Sequence, residues 1–242
     1  GGKSLHEVLS KPRTGDYDGE SWELSGVPGN ISIVRNGPHT GKSLTELIEQ
    51  FKDYLVGEHV YNKHGNMFPL LFKFIDAQQD LSIQVHPNDE LAHIRHNSFG
   101  KTEMWYVIDT DPDASLIVGF NKQVDARQYM DCVQGNKLMS VLNREKVQPH
   151  DVFFIPAGRI HTIGKGLLIA EIQQTSDITY RIHDFDRVDA NGNKRELHND
   201  LAVEAIDFSI LDSYKTSYDL EAGEQLIGAS DYFVTKRRFI NE

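Results

Sequence analysis

The sequence predicts a mainly β protein, an antiparallel sandwich or barrel with an inserted helical element and flanking helices. Short segments rich in β-branched and aromatic residues recur between positions 71 and 185. Turn-forming clusters separate most of them, and helical periodicity is confined to a few stretches.

In chain order, SLTELIEQFKDYLVGE (43–58) carries Leu44, Leu47, Ile48, Phe51 and Leu55 at helical spacing. Ser43 and Glu46 form a capping box, so the expected helix spans 43–58. Seven strands follow: LFKFIDA (71–77), LSIQVHP (81–87), TEMWYVID (102–109), SLIVGF (115–120), DVFFIPA (151–157), LLIAEIQQ (167–174) and TYRIHDF (179–185). The turn signals AQQD, PND, DPD, GKG and TSD separate most of them. Two further stretches read as helical, 125–142 interrupted by Gly135, and 200–208. The first lies between strands and defines a helical insertion at about 122–149.

A chain of 242 residues can bury a substantial core, and 39% hydrophobic with 10% aromatic residues marks a globular rather than disordered protein. No run approaches the roughly 18 apolar residues of a membrane span, and the opening GGKSLHEVLSKPRTG lacks the apolar core of a secretory signal. Cys132 is the sole cysteine, so no internal disulfide can form, and a reducing, cytoplasmic setting is expected. The net charge of −11, from 25 basic and 36 acidic residues, argues against nucleic acid or anionic lipid as a broad-surface partner. A small phosphorylated substrate needs only a few local cations and stays open.

IQVHP places Gln84 and His86 two residues apart, on one face of a strand, while Ile83 and Val85 take the other. In GKTEMWYVID, Lys101 and Glu103 share a face opposite Met104, Tyr106 and Ile108. PAGRIHTIG puts His161 in a loop at the mouth of the next strands. Two imidazoles, a carboxylate and an amide oxygen suit zinc or another divalent first-row ion. On spacing alone, hydrogen-bonded structural histidines and an exposed glutamate remain open, and His93 with His96 reads as a solvated helix face.

Three long runs, FPLLFKFIDAQQDLSIQVHPNDELA, GKTEMWYVID and FFIPAGRIHTIGKGLLIAEIQQTSDITYRIHDFDR, resemble the type I mannose-6-phosphate isomerase family, as do SWELS (21–25) and GKSLTELI (41–48). That resemblance implies a cupin-like antiparallel β-sandwich, or jelly roll. It implies an aldose–ketose isomerase interconverting mannose 6-phosphate and fructose 6-phosphate through an enediol. It further implies one zinc or similar ion per chain, held by Gln84, His86, Glu103 and His161, with Lys101, Asp177 and Arg181 in the pocket. Arg181 could hold a phosphate or an enediolate oxygen, and Trp22 and Glu23 are candidates to line the cleft. The expected organisation is a metal-binding catalytic domain over 1–210 and the start of a second β-domain over 211–242. Against the family pattern the segment reads as incomplete at both ends.

Two other readings compete. Two histidines and a carboxylate on a β-sandwich also make the facial triad of a non-haem iron oxygenase, although Gln84 as a fourth ligand and Lys101 beside the site count against it. A non-catalytic sugar-binding cupin would keep the pocket and lose the acid–base groups, yet Lys101, Asp177 and Arg181 are all present.

Overall fold

The computed structural model describes residues 2–15, 18–189 and 191–240. Helix α1 (Lys3–Glu7) leads into β1 (Glu20–Ser25), followed by three short helices, α2 (Leu44–Phe51), α3 (Asp53–Val56) and α4 (Glu58–His64). Next come β2 (Leu70–Ala77), β3 (Ile83–Val85), α5 (Asp89–His96), β4 (Glu103–Thr110) and β5 (Ser115–Phe120). Helix α6 (Ala126–Gln134) and a 3-10 turn precede β6 (Leu142–Lys146), β7 (Val152–Ile155), β8 (His161–Thr162), β9 (Leu167–Gln174) and β10 (Tyr180–His183). Then follow α7 (Asn199–Ala205) and the hairpin strands β11 (Glu224–Ala229) and β12 (Val234–Arg238).

The strands form two five-stranded antiparallel sheets, ordered β1-β2-β9-β4-β7 and β10-β3-β8-β5-β6, with β11-β12 apart. Period-two alternation decides what lies between them. Trp105, Val107, Phe153 and Ile169 of the first sheet meet Leu116, Val118 and Ile163 of the second in the central core. The opposite face of the second sheet, with Ile83, Val85, Phe120, Tyr180 and Ile182, is covered by Tyr129 of α6 and Ala202 of α7. On the outer face of the first sheet, Met104 and Val152 pack under Ile227 and Phe233 of the hairpin. The mainly β sandwich is therefore as expected. Among the described residues no helix is long and apolar enough to cross a membrane.

Three local expectations change. The helix expected over 43–58 keeps its capping box, with Ser43 and Glu46 bonding reciprocally. It breaks at Lys52, which adopts φ 50°. Beyond Phe51 the apolar stripe has only Leu55, itself exposed, and Tyr54 is 91% exposed, so no buried face holds the axis straight. The stretch expected to be helical over 125–142 is α-helical only to Gln134. The remainder of the insertion contains β6, an edge strand whose sequence LNREK hides its character because charge is how edge strands avoid further pairing. His161, expected in a loop, lies in the two-residue strand β8, and pairing on both sides makes it a strand.

Candidate metal centre

The site forms where the sheets face each other near β3, β4 and β8. In β3, Ile83 and Val85 are fully buried in the outer core, which turns Gln84 toward the space between the sheets. Pairing of β3 with β8 sets Gln84 directly opposite His161. His86 follows immediately after β3, and Glu103 opens β4 on the facing sheet. His86, Glu103 and His161 are all buried, at 1%, 0% and 0% exposure.

Their ligand atoms converge. Nε2 of His86 lies 3.1 Å from Nε2 of His161, and Glu103 places one oxygen 3.5 Å from His86 Nε2 and the other 3.3 Å from His161 Nε2. The amide nitrogen of Gln84 is 3.2 Å from His161 Nε2, and a half-turn of the amide would present its oxygen instead. Among the described residues this is the one group of three such side chains whose ligand atoms lie within 4.8 Å of one another.

A cation bound here would account for features that packing leaves unexplained. Nδ1 of His86 is 2.8 Å from the carbonyl of Ile178, and Nδ1 of His161 is 2.8 Å from the carbonyl of Arg159. A carbonyl only accepts, so each Nδ1 carries the proton and each Nε2 of the neutral ring is an unprotonated lone pair. Burial, reinforced by Lys101, holds His86 well below the usual imidazole range. Burial likewise brings His161 down to about 4, so both rings are neutral at pH 7. Two lone pairs therefore face each other beside a buried carboxylate whose oxygens lack aligned hydrogen-bond donors among the described residues. Tetrahedral ligands about 2.1 Å from one ion lie about 3.4 Å apart, close to the spacings found. Donor type, tautomer and spacing all fit a divalent metal.

Lys101 is 5% exposed, and its Nζ is 3.2 Å from Glu103 and 3.2 Å from His86 Nε2. Strand parity foresaw that proximity. Sequence reasoning missed a second ion pair on the same inner face. Lys73 of β2 lies 2.9 Å from Glu171 of β9, and the indole N–H of Trp105 donates to Glu171 at 2.8 Å. Burial alone would raise the Glu171 pKa, but Lys73 and Lys101 outweigh it and hold the carboxyl down to about 2. Burial and the neighbouring Glu171 push Glu103 up to about 7. A charged residue inside an apolar strand, Lys73 in LFKFI and Glu171 in LIAEI, was the available signal.

A cleft of about 870 Å³ opens from this centre, lined by Lys73, Gln84, Lys101, Glu171, Asp177 and Arg181, with Arg187 and Arg195 at its rim. Asp177 and Arg181 share the cleft without an ion pair between them among the described residues. Arg181 donates to the carbonyl of Glu196 at 2.9 Å, and its buried Nε has no partner among the described residues. Asp184 binds both Arg187 and Arg195. Trp22 lies beneath Lys73, whose Nζ is 5.6 Å from the ring centroid. Glu23 turns away from the cleft to pair with Lys11 and Ser21, because it lies on the opposite face of β1 from Trp22. Glu20 takes the place in the lining expected of Glu23. His93 is exposed, and His96 bonds the Tyr180 hydroxyl at 2.9 Å, so neither joins the centre.

Residues 8–117 match the family described as phosphomannose isomerase type I, catalytic domain. The chain is 38% identical over 237 residues to a probable mannose-6-phosphate isomerase of Bacillus subtilis strain 168, GmuF, covering 96% of this chain and 73% of that protein. It is 44% identical over 191 residues to mannose-6-phosphate isomerase ManA of the same organism, covering 78% of this chain and 58% of that one. The chain thus spans little more than half the length of ManA. The crystal structure of the mannose 6-phosphate isomerase from Bacillus subtilis superposes with a TM-score of 0.87 at 35% identity, covering 100% of this chain and 76% of that one.

Proposed function

Because this chain belongs to the type I phosphomannose isomerase family, we propose that its cleft interconverts mannose 6-phosphate and fructose 6-phosphate through an enediol, in the cytoplasm. The observation that carries the reading is the meeting of two unprotonated imidazole nitrogens and a buried carboxylate beside a buried lysine. Gln84, His86, Glu103 and His161 would hold zinc or another divalent first-row ion. When bound, such an ion polarises the substrate's oxygens as a Lewis acid.

The chain's own groups supply the rest. The Lys101 ammonium, 3.2 Å from Glu103, is positioned to give a proton to, or take one from, the sugar oxygen on which charge develops. A base must move the proton between C2 and C1. Glu171 is engaged by Lys73 and Trp105, whereas the Asp177 carboxylate lines the cleft with no side-chain partner among the described residues, which favours Asp177 as that base. The planar forks of Arg181, Arg187 and Arg195 suit a phosphate, and Asp184 fixes two of them.

The test is isomerisation of mannose 6-phosphate in heavy water, before and after chelation. Turnover that disappears with the metal and returns with zinc, with solvent deuterium in the product, supports the reading. Turnover indifferent to chelation would remove it. Complete retention of the original hydrogen, while the base exchanges freely, would favour a hydride shift and leave Lys101 and Asp177 without proton-transfer roles.

A further inference from the structure

Thr102 lies between Lys101 and Glu103, and its backbone is gripped at both ends by one residue, through the side chain and the main chain of Gln174. The Thr102 N–H donates to Oε1 of Gln174 at 2.9 Å, the Thr102 carbonyl accepts from the Gln174 N–H at 3.1 Å, and the Thr102 hydroxyl accepts from the Ala157 N–H at 3.2 Å. Gln174 is in turn held at its far end. Its Nε2 donates to Oδ1 of Asp89 at 2.9 Å, and the same oxygen accepts from the Gly100 N–H at 2.8 Å. The other Asp89 oxygen accepts from the Tyr232 hydroxyl, in the turn between β11 and β12, at 2.7 Å.

Each donor in this chain meets an acceptor, and the chain ends on the residue that joins a proposed ligand to a proposed acid–base group. Gln174 and Thr102 are 4% and 6% exposed, so water cannot replace a lost partner. The approach of residues 100–103 to the 87–89 turn is also close. A Cβ on Gly100 would stand 2.7 Å from the backbone of Asn88 and of Asp89, so only glycine lets the segment dock there.

We propose that Gln174 is a positioning residue. Through the Thr102 backbone it sets where Lys101 and Glu103 stand in the cleft, and Asp89 with Tyr232 fixes Gln174, tying the C-terminal hairpin to the metal centre. This rests on the metal-dependent reading above. An apolar residue of similar size at 174 would keep the packing and leave the Thr102 N–H buried without a partner, so strand β4 would enter the site in a looser register.

The test is cobalt substitution of the full chain, reading the visible absorption bands that report ligand geometry, with metal retention against a chelator and kcat and KM alongside. Gln174→Leu is expected to shift the bands, to weaken retention roughly 10-fold or more, as loss of outer hydrogen-bonding partners does, and to lower kcat with KM little changed. Asp89→Ala, which takes the acceptor from both the Gln174 amide and the Gly100 N–H, should act in the same direction. It carries the test if Gln174→Leu fails to fold. A folded Gln174→Leu or Asp89→Ala with wild-type bands and retention overturns the proposal, whatever its melting temperature. Tyr232→Phe should give a smaller change of the same sign, and a wild-type spectrum there overturns the hairpin's part. A wild-type chain that takes up no cobalt would instead sink the metal reading, and this inference with it.

Discussion

His86 and His161 each commit Nδ1 to a backbone carbonyl, and that pairing aims both Nε2 atoms at one point. Lys101 touches the same carboxylate but offers only donors, so it cannot act as a fourth ligand while charged. The two neighbours should therefore fail differently. Lys101→Met is expected to retain metal and lose turnover by roughly 10²-fold or more, whereas Glu103→Ala should lose metal first, as metal analysis after dialysis would record. Near-normal turnover in Lys101→Met would make Lys101 a bystander. The i, i+2 parity of Gln84–His86 and Lys101–Glu103 told which side chains share a face, but spacing alone left their roles open, and the family resemblance singled them out. Lys73 and Glu171 showed only as charges inside apolar strands, and their pairing was not legible. Each is a charge that burial forbids unless a distant strand supplies its partner, and β2–β9 pairing is a tertiary fact.

At the scale of elements, local signals predicted local structure where the backbone itself was at stake. The Ser43–Glu46 box caps α2 as read, but the same periodicity could not reveal the break at Lys52, because Tyr54 and Leu55, apolar in the sequence, stay exposed in the fold. Strands β1 and β6 escaped notice because ESWELS and LNREK carry the charges of edge strands, while β8 is too short to have a pattern. The cap is exposed and its helix buries little beyond Ile48. Ser43→Ala should thus cost about 1 kcal/mol in urea unfolding, with turnover unaffected. A loss several times larger would mean that α2 anchors more of the fold than its packing suggests.

For the whole molecule, a net charge of −11 coexists with a cleft lined by Lys73, Lys101, Arg181, Arg187 and Arg195. Bulk charge argued against extended anionic partners but could not show cations gathered from five separate positions by the fold. Asp184 organises the rim. Burial would raise its pKa, yet hydrogen bonds and charge from Arg195 and Arg187 outweigh that and hold the carboxyl below its ordinary range. A depressed folded-state pKa stabilises the fold above the unfolded value, about 3.9, and that contribution fades as pH falls through the lower folded value. Asp184→Asn should therefore melt earlier than wild type at pH 7 and converge with it as pH drops below about 4. A gap in melting temperature that stays constant with pH would contradict the linkage.

The central claim is that side chains from both sheets converge on one ion at the floor of that cleft. Anomalous diffraction from crystals of the zinc-loaded protein, collected on both sides of the zinc edge, tests it most directly. The account predicts a single strong peak about 2.0–2.3 Å from polar atoms of Gln84, His86, Glu103 and His161. A map with no peak there, or with zinc bound only at surface histidines such as His93, would contradict it.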